Sequence, residues 1–171
     1  MNLPCFALGA QGRADCTVVA NPVDGFFLDH SDFAHDGGNF TQHMRYMYSM
    51  MNLTAGADGA LKPECIAAFL GEPWKCFMAQ HMQRFIKTPF FMQQSKFDYW
   101  QLTNILALPS RPFHPNATQQ QAVLQYSRDF MAQLAPVLHD PRQNGGFITS
   151  CICHVRGHTP FDRHTREPFA G

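Results

Sequence analysis

Two side chains of this chain could do proton chemistry together. Asp98 lies in Lys96-Phe97-Asp98-Tyr99-Trp100-Gln101, just past the apolar run Phe90–Gln93. His154 follows Ser150-Cys151-Ile152-Cys153, just past a second run, Phe147-Ile148-Thr149. Histidine titrates near neutrality, so it can take and return a proton within one turnover. A carboxylate can fix the imidazole tautomer and stabilise its cation. If both runs are strands, the two residues lie beyond strand ends, where open α/β sheets gather functional groups. Each also has a plainer reading. Asp98 can cap a helix that starts at Tyr99, and His154 can be a packed or surface imidazole. His158 and His164 sit further out on a polar tail and are weaker candidates.

The same tail offers a second chemistry. Cys151, Cys153, His154 and His158 place four soft or borderline metal ligands within eight residues. The His-x3-His spacing fits half of a zinc pattern, whereas Cys-x-Cys does not. Oxidation of the two cysteines would remove the site. No cofactor and no metal is assigned to the chain on this pattern.

Bulk properties bound the partners. The 171 residues carry 13 basic and 13 acidic side chains, for a formal net charge of zero. A nucleic-acid binder would show a basic excess or stripe. No apolar run approaches the roughly 18–20 residues of a membrane-spanning helix. With 45% hydrophobic residues the chain is not a disordered tail, and its length predicts one domain. The six cysteines are even in number, and three Asn-x-Ser/Thr sequons stand at Asn39, Asn52 and Asn116. Together they point to the secretory pathway. Met1 to Ala14 has neither a charged n-region nor a sustained apolar stretch, so it does not read as a signal peptide.

The elements that must position Asp98 and His154 read as alternating strands and helices, and so as an α/β fold with a parallel sheet. Phe26-Phe27-Leu28, after Gly25, reads as a buried strand running into a loop. Asp36-Gly37-Gly38 breaks the chain. Phe40, Met44, Met47, Tyr48 and Met51 recur at helical spacing and read as a core-facing stripe. Ala55 to Ala60 is a glycine-containing loop. Pro63 opens a short helix through Cys65 to Leu70. Gly71-Glu72-Pro73 stops it, and Trp74 to Ile86 reads as helical again. Thr88 to Gln93 is a strand with its proline at the start, where a strand tolerates it. Tyr99 to Leu106 is a short helix, and Pro109 to Pro115 a loop. Asn116 caps a long helix with Val123, Leu124, Phe130, Met131 and Leu134 on one face, and Pro136 perturbs its end. Asn144-Gly145-Gly146 reads as a turn before the last strand, Phe147 to Thr149. Three or four strands are expected in all, with an open sheet edge.

In order, several segments resemble the pectin acetylesterase family, which spans plant pectin acetylesterases and Notum-like carboxylesterases. They are Asp24-Gly25-Phe26-Phe27-Leu28-Asp29, Pro63-Glu64-Cys65 with Trp74-Lys75-Cys76-Phe77, and Ile86-Lys87-Thr88-Pro89-Phe90-Phe91. Phe97-Asp98-Tyr99-Trp100-Gln101-Leu102-Thr103-Asn104-Ile105-Leu106 is the most specific of them, and Gly146 to His154 completes the series. The resemblance covers about residues 14–160. It implies the C-terminal part of an α/β-hydrolase-like parallel sheet flanked by helices, one partial domain over residues 1–171. It implies hydrolysis of a carboxylic ester through an acyl-enzyme, with Asp98 as triad acid and His154 as general base. It implies an O-acetylated polysaccharide or other O-acyl ester as substrate, a secreted or cell-wall location, and a Cys65–Cys76 disulfide.

Such a hydrolase needs a Gly-x-Ser-x-Gly nucleophile elbow. The serines are Ser31, Ser49, Ser95, Ser110, Ser127 and Ser150, and none has glycines at both flanking positions. The family's nucleophile lies upstream of the segment matching Cys16 to Asp29. The expectation is therefore a C-terminal part without its serine and inactive alone. The alternatives are a non-catalytic carbohydrate- or partner-binding relic of the fold, and a small Cys/His metal-binding protein. Phe33, Tyr99, Trp100 and Phe161 are aromatic candidates for an acyl pocket.

Overall fold

The structure is a computed structural model that describes residues 19–34, 39–53, 61–109, 113–139 and 144–155. Cys5, Cys16, His158, Phe161, His164, the Asp36–Gly38 break and the Ala55–Ala60 loop lie outside the described residues.

Strand β1, Phe91–Ser95, pairs in parallel with β2, Gly145–Thr149, in the register Phe91 to Gly145 through Ser95 to Thr149. Parallel neighbours need a long crossover, and here it carries helices α4 (Tyr99–Asn104) and α5 (Ala117–Leu138). On its other side β1 meets residues 20–23 through single parallel bridges at Ala20 and Val23. Among the described residues the sheet is thus two strands and an irregular third rail.

The Phe26–Leu28 segment corrects the sequence reading. Phe26 and Leu28 are buried, but no strand forms there. The backbone turns away at Asp24, whose φ is 45°. Two fully buried glutamines then take the place of a neighbouring strand. Gln94 Oε1 accepts from Phe26 N at 3.0 Å, and Gln101 Nε2 donates to Phe26 O at 3.1 Å. Tyr126 Oη donates to Gln101 Oε1 at 2.6 Å. Amide side chains are needed because unpaired buried peptide groups cost about 1–3 kcal/mol each.

Helix α1, Asn39–Met50, follows the expected stripe in part. Phe40 is buried, and Met44 and Tyr48 pack on the core, but Met51 falls beyond the helix and is exposed. Helix α2 is Pro63–Ala68. The single helix expected over Trp74–Ile86 is broken into a 3₁₀ turn (Pro73–Phe77), α3 (Ala79–Met82) and a second 3₁₀ turn (Gln83–Phe85). Cys76 belongs to a satellite cluster with Leu61 and Cys65, whereas Met78 belongs to the main core. Extended backbone at Met78 (φ −98°, ψ 130°) carries the chain from one to the other. The Cys65–Cys76 disulfide forms across a sequence separation of 11. A loop of that length contributes about 3 kcal/mol on the chain-entropy account.

Helix α5 opens with a capping box. Asn116 Oδ1 accepts from Gln119 N at 3.0 Å, and the Gln119 side chain accepts from Asn116 N at 2.9 Å. Its buried stripe is Val123, Tyr126, Ser127, Phe130, Leu134 and Val137. Leu124 lies about 100° round the helix from Val123, off that face, and is exposed, contrary to the sequence reading. Pro136 lies within the helix, which ends two residues later at Leu138.

Gly145 and Gly146 open β2 rather than forming the expected turn. Packing explains the small residues. A Cβ at Gly146 would lie 2.7 Å from Leu138 Cδ2 and 3.1 Å from the Met92 carbonyl. Gly146→Ala is expected to lower stability by about 1–3 kcal/mol through overpacking. Gly71→Ala, with nothing within 4 Å, serves as the control. Urea unfolding midpoints check this: equal midpoints for the two variants would show that α5 and β2 do not meet as closely as described.

Among the described residues no helix is long and apolar enough to cross a membrane.

Candidate active site

Asp98 lies just after β1 and is the N-cap of α4. Its two oxygens divide the work. Oδ1 accepts from Gln101 N at 2.9 Å, which is the capping bond. Oδ2 lies 2.8 Å from His154 Nδ1. The cap and the histidine partner are therefore one residue in both roles. Gln94 Nε2 also reaches Oδ2, at 3.5 Å. Asp98 is 1% exposed, while the His154 side chain is 28% exposed.

Burial pushes the Asp98 carboxyl above its ordinary value. The His154 and Gln101 hydrogen bonds pull against that rise, and nearby Asp24 adds to it. When Asp98 is ionised its carboxylate can only accept, so Nδ1 is the donor in the 2.8 Å contact and the lone pair of a neutral ring lies on Nε2. Tyr126, behind this network, is raised well above 10.0 by burial and then by the Asp98 charge; it serves as a neutral donor.

The loop that carries His154 is tied down at several points. Lys96 N donates to Thr149 O at 3.1 Å and Tyr99 N to Cys153 O at 3.1 Å. Ser95 Oγ donates to Cys151 O. Cys151 and Cys153 are bonded to each other, which removes both thiolates and overturns the zinc reading of Cys151, Cys153, His154 and His158. A different trio, Asp24, Asp98 and His154, has ligand atoms within 4.8 Å of one another. Both oxygens of each carboxylate already face donors: Ser95 N and Val155 N at Asp24, Gln101 N and His154 at Asp98. That donor set is used up in fixing a loop, and a cation there would have to displace it.

Phe27 and Trp100, two rings near His154, line in part a pocket of about 260 Å³ together with Gly25, Phe40, Met44 and Met78. Phe27 stacks on Trp100 at 4.8 Å between ring centroids, and each ring lies 6.3 Å from that of His154. Of the four aromatic candidates, Trp100 lines this pocket. Phe33 is partly exposed elsewhere, and Tyr99 meets Phe113 edge-on. Sequence reasoning missed Phe27, Gln94 and Gln101 as parts of the site. A signal did exist: two glutamines inside apolar elements, which are fully buried only when something must be hydrogen-bonded.

Comparison with known proteins places the chain in a family. The pectinacetylesterase family profile matches residues 6–166. Pectin acetylesterase 11 of Arabidopsis thaliana is 30% identical over 145 residues, which is 78% of this chain and 35% of that protein. Pectin acetylesterase 5 of the same plant is 29% identical over 155 residues, 83% of this chain and 34% of that protein. The crystal structure of the Drosophila Wnt deacylase Notum superposes with a TM-score of 0.66 at 21% identity, covering 88% of this chain and 39% of that one. That likeness shows the fold, an α/β-hydrolase-like one. The chain spans about a third of the length of the curated relatives it matches, and it belongs to the pectinacetylesterase family.

Proposed function

We propose that residues 1–171 supply the acid and the base of a serine carboxylic ester hydrolase that removes O-acetyl groups from a pectin-like polysaccharide. The serine comes from polypeptide outside these residues. Asp98 holds the His154 ring with its proton on Nδ1. His154 Nε2 takes the proton of the serine hydroxyl as that oxygen attacks the ester carbonyl. The same nitrogen then gives the proton to the departing sugar oxygen, and water repeats the cycle on the acyl-enzyme. The observation that supports this most is the 2.8 Å Asp98–His154 contact, made at the ends of neighbouring parallel strands. The apolar pocket that Phe27 and Trp100 line is suited to an acyl group, and the exposed Phe91 and Phe147 give the rest of the fold a face to cover. Two disulfides among the described residues fit a secreted or cell-wall setting.

Acetate release from acetylated pectin tests the assignment. The 171-residue chain alone is expected to work at background rate. Joined to a segment bearing a Gly-x-Ser-x-Gly serine, it is expected to turn over and to be blocked by a serine-directed inhibitor. Fast, inhibitor-sensitive turnover by the chain alone would place the nucleophile within residues 1–171. A folded joined protein with an intact serine and no turnover would instead favour a binding relic of the fold.

A further inference from the structure

Asp24 is 1% exposed and has no part in the steps above. It is also one of the described non-glycine residues with a positive φ, at 45°. Aspartate is among the few side chains that enter that region readily, and such outliers gather at functional sites.

Its contacts explain the conformation. Along β1, Phe91 N donates to Ala20 O and Gln93 N to Pro22 O, both at 2.9 Å. The next N–H in the series, Ser95 N, donates to Asp24 Oδ1 at 3.1 Å. A side chain thus makes the third rung, because the left-handed turn has taken the backbone away. The other oxygen, Oδ2, accepts from Val155 N, and Val155 itself has a φ of 61°. The ties at Thr149, Cys151 and Cys153 all lie on the N-terminal side of His154. The Asp24–Val155 bond lies on the other side. A single carboxylate therefore joins the end of the central strand to the residue after the imidazole. Asparagine has one acceptor and an NH₂ group, which would meet one of the two N–H donors head-on.

We propose that Asp24 is a positioning residue: it fastens the backbone on the C-terminal side of His154 to the end of β1 and so holds the imidazole against Asp98. This rests on the pairing of His154 with Asp98 as base and acid.

The test uses the 171-residue chain labelled uniformly with ¹⁵N. Ring ¹⁵N shifts report which nitrogen carries the proton, and amide exchange reports the loop. In the unmodified chain, read at a pH where the ring is neutral, His154 is expected as a single Nδ1–H tautomer. Asp24→Asn is expected to speed exchange at Val155 by about tenfold or more, to mix the two His154 tautomers, and to leave Met92 and Ile148 exchange unchanged. A role confined to stability would slow or speed all of these together. If Asp24→Asn does not fold, a backbone ester at Val155, introduced by ligation at Cys153, replaces the N–H donor with an oxygen while keeping every side chain, and is expected to mix the tautomers. A folded Asp24→Asn or Val155-ester chain with an unchanged single tautomer overturns the proposal. Asp98→Asn separates the two ideas. If it alone disturbs the tautomer, Asp24 is not the positioning residue but the pairing stands; if it leaves the tautomer unchanged, the pairing itself fails.

Discussion

Replacing His154 with alanine, in a polypeptide that joins residues 1–171 to a segment bearing a Gly-x-Ser-x-Gly serine, is expected to lower acetate release about 10⁶-fold. That is the scale of losing the base from a triad whose members act as a unit. Nδ1 is committed to Asp98, so the Nε2 edge of a partly exposed ring is where a serine hydroxyl can be met. The other histidines with described contacts are held elsewhere. His81 faces Asp29 at 3.4 Å, His30 faces Asp129 at 3.5 Å, and His139 Nδ1 lies 2.7 Å from the Ala135 carbonyl. None can take over the proton. The alanine variant leaves a buried carboxylate with fewer donors, so His154→Gln is the companion: its amide can still donate to Asp98, yet it cannot act as a base. Both variants are measured by acetate release and by thermal melting. A folded glutamine variant within a hundredfold of the parent would remove His154 from the reaction.

Much of the site was legible in the chain because the two ends of the Asp98–His154 contact each follow a recognisable strand. Phe90–Gln93 and Phe147–Thr149 are short apolar runs, and β1 and β2 form at Phe91–Ser95 and Gly145–Thr149. Asn116 announced the start of α5 as a capping residue, and the structure adds Gln119 to complete the box. What failed depended on contacts distant in sequence. Phe26–Leu28 has the composition of a buried strand, and its burial is real; only its hydrogen-bond partners, Gln94 and Gln101, are side chains from about seventy residues away. Gly145 and Gly146 have the composition of a turn, but the space they leave is filled by Leu138 and the Met92 carbonyl. Trp74–Ile86 has helical residues throughout, yet the Cys65–Cys76 bond and the burial of Met78 break it. Local propensity describes the segment; these three outcomes were decided by what packs against it.

Asp98→Asn is the sharper experiment, because it separates the two roles of this residue. Asparagine caps a helix as well as aspartate, so the bond from Gln101 N survives. At the other end, an amide group can turn its NH₂ toward Nδ1, and the imidazole must then carry its proton on Nε2 to accept that bond. The base nitrogen is blocked, and turnover is expected to fall about 10⁴-fold, the cost of the wrong tautomer in a serine triad. Stability should move differently. Burial raises the folded-state value of Asp98 above the ordinary 3.8, so the folded protein binds that proton more readily than the unfolded chain. The stability linked to it is present below the unfolded value and is lost as pH rises through the raised one. The variant has no such proton to lose. Its melting temperature relative to the parent is therefore expected to climb with pH across that window while its activity stays low. Asp98→Ala, which loses cap and partner together, should fall in both measures. If Asp98→Asn kept turnover within tenfold of the parent, the carboxylate would be a helix cap alone, and the contact with His154 would have no part in the chemistry.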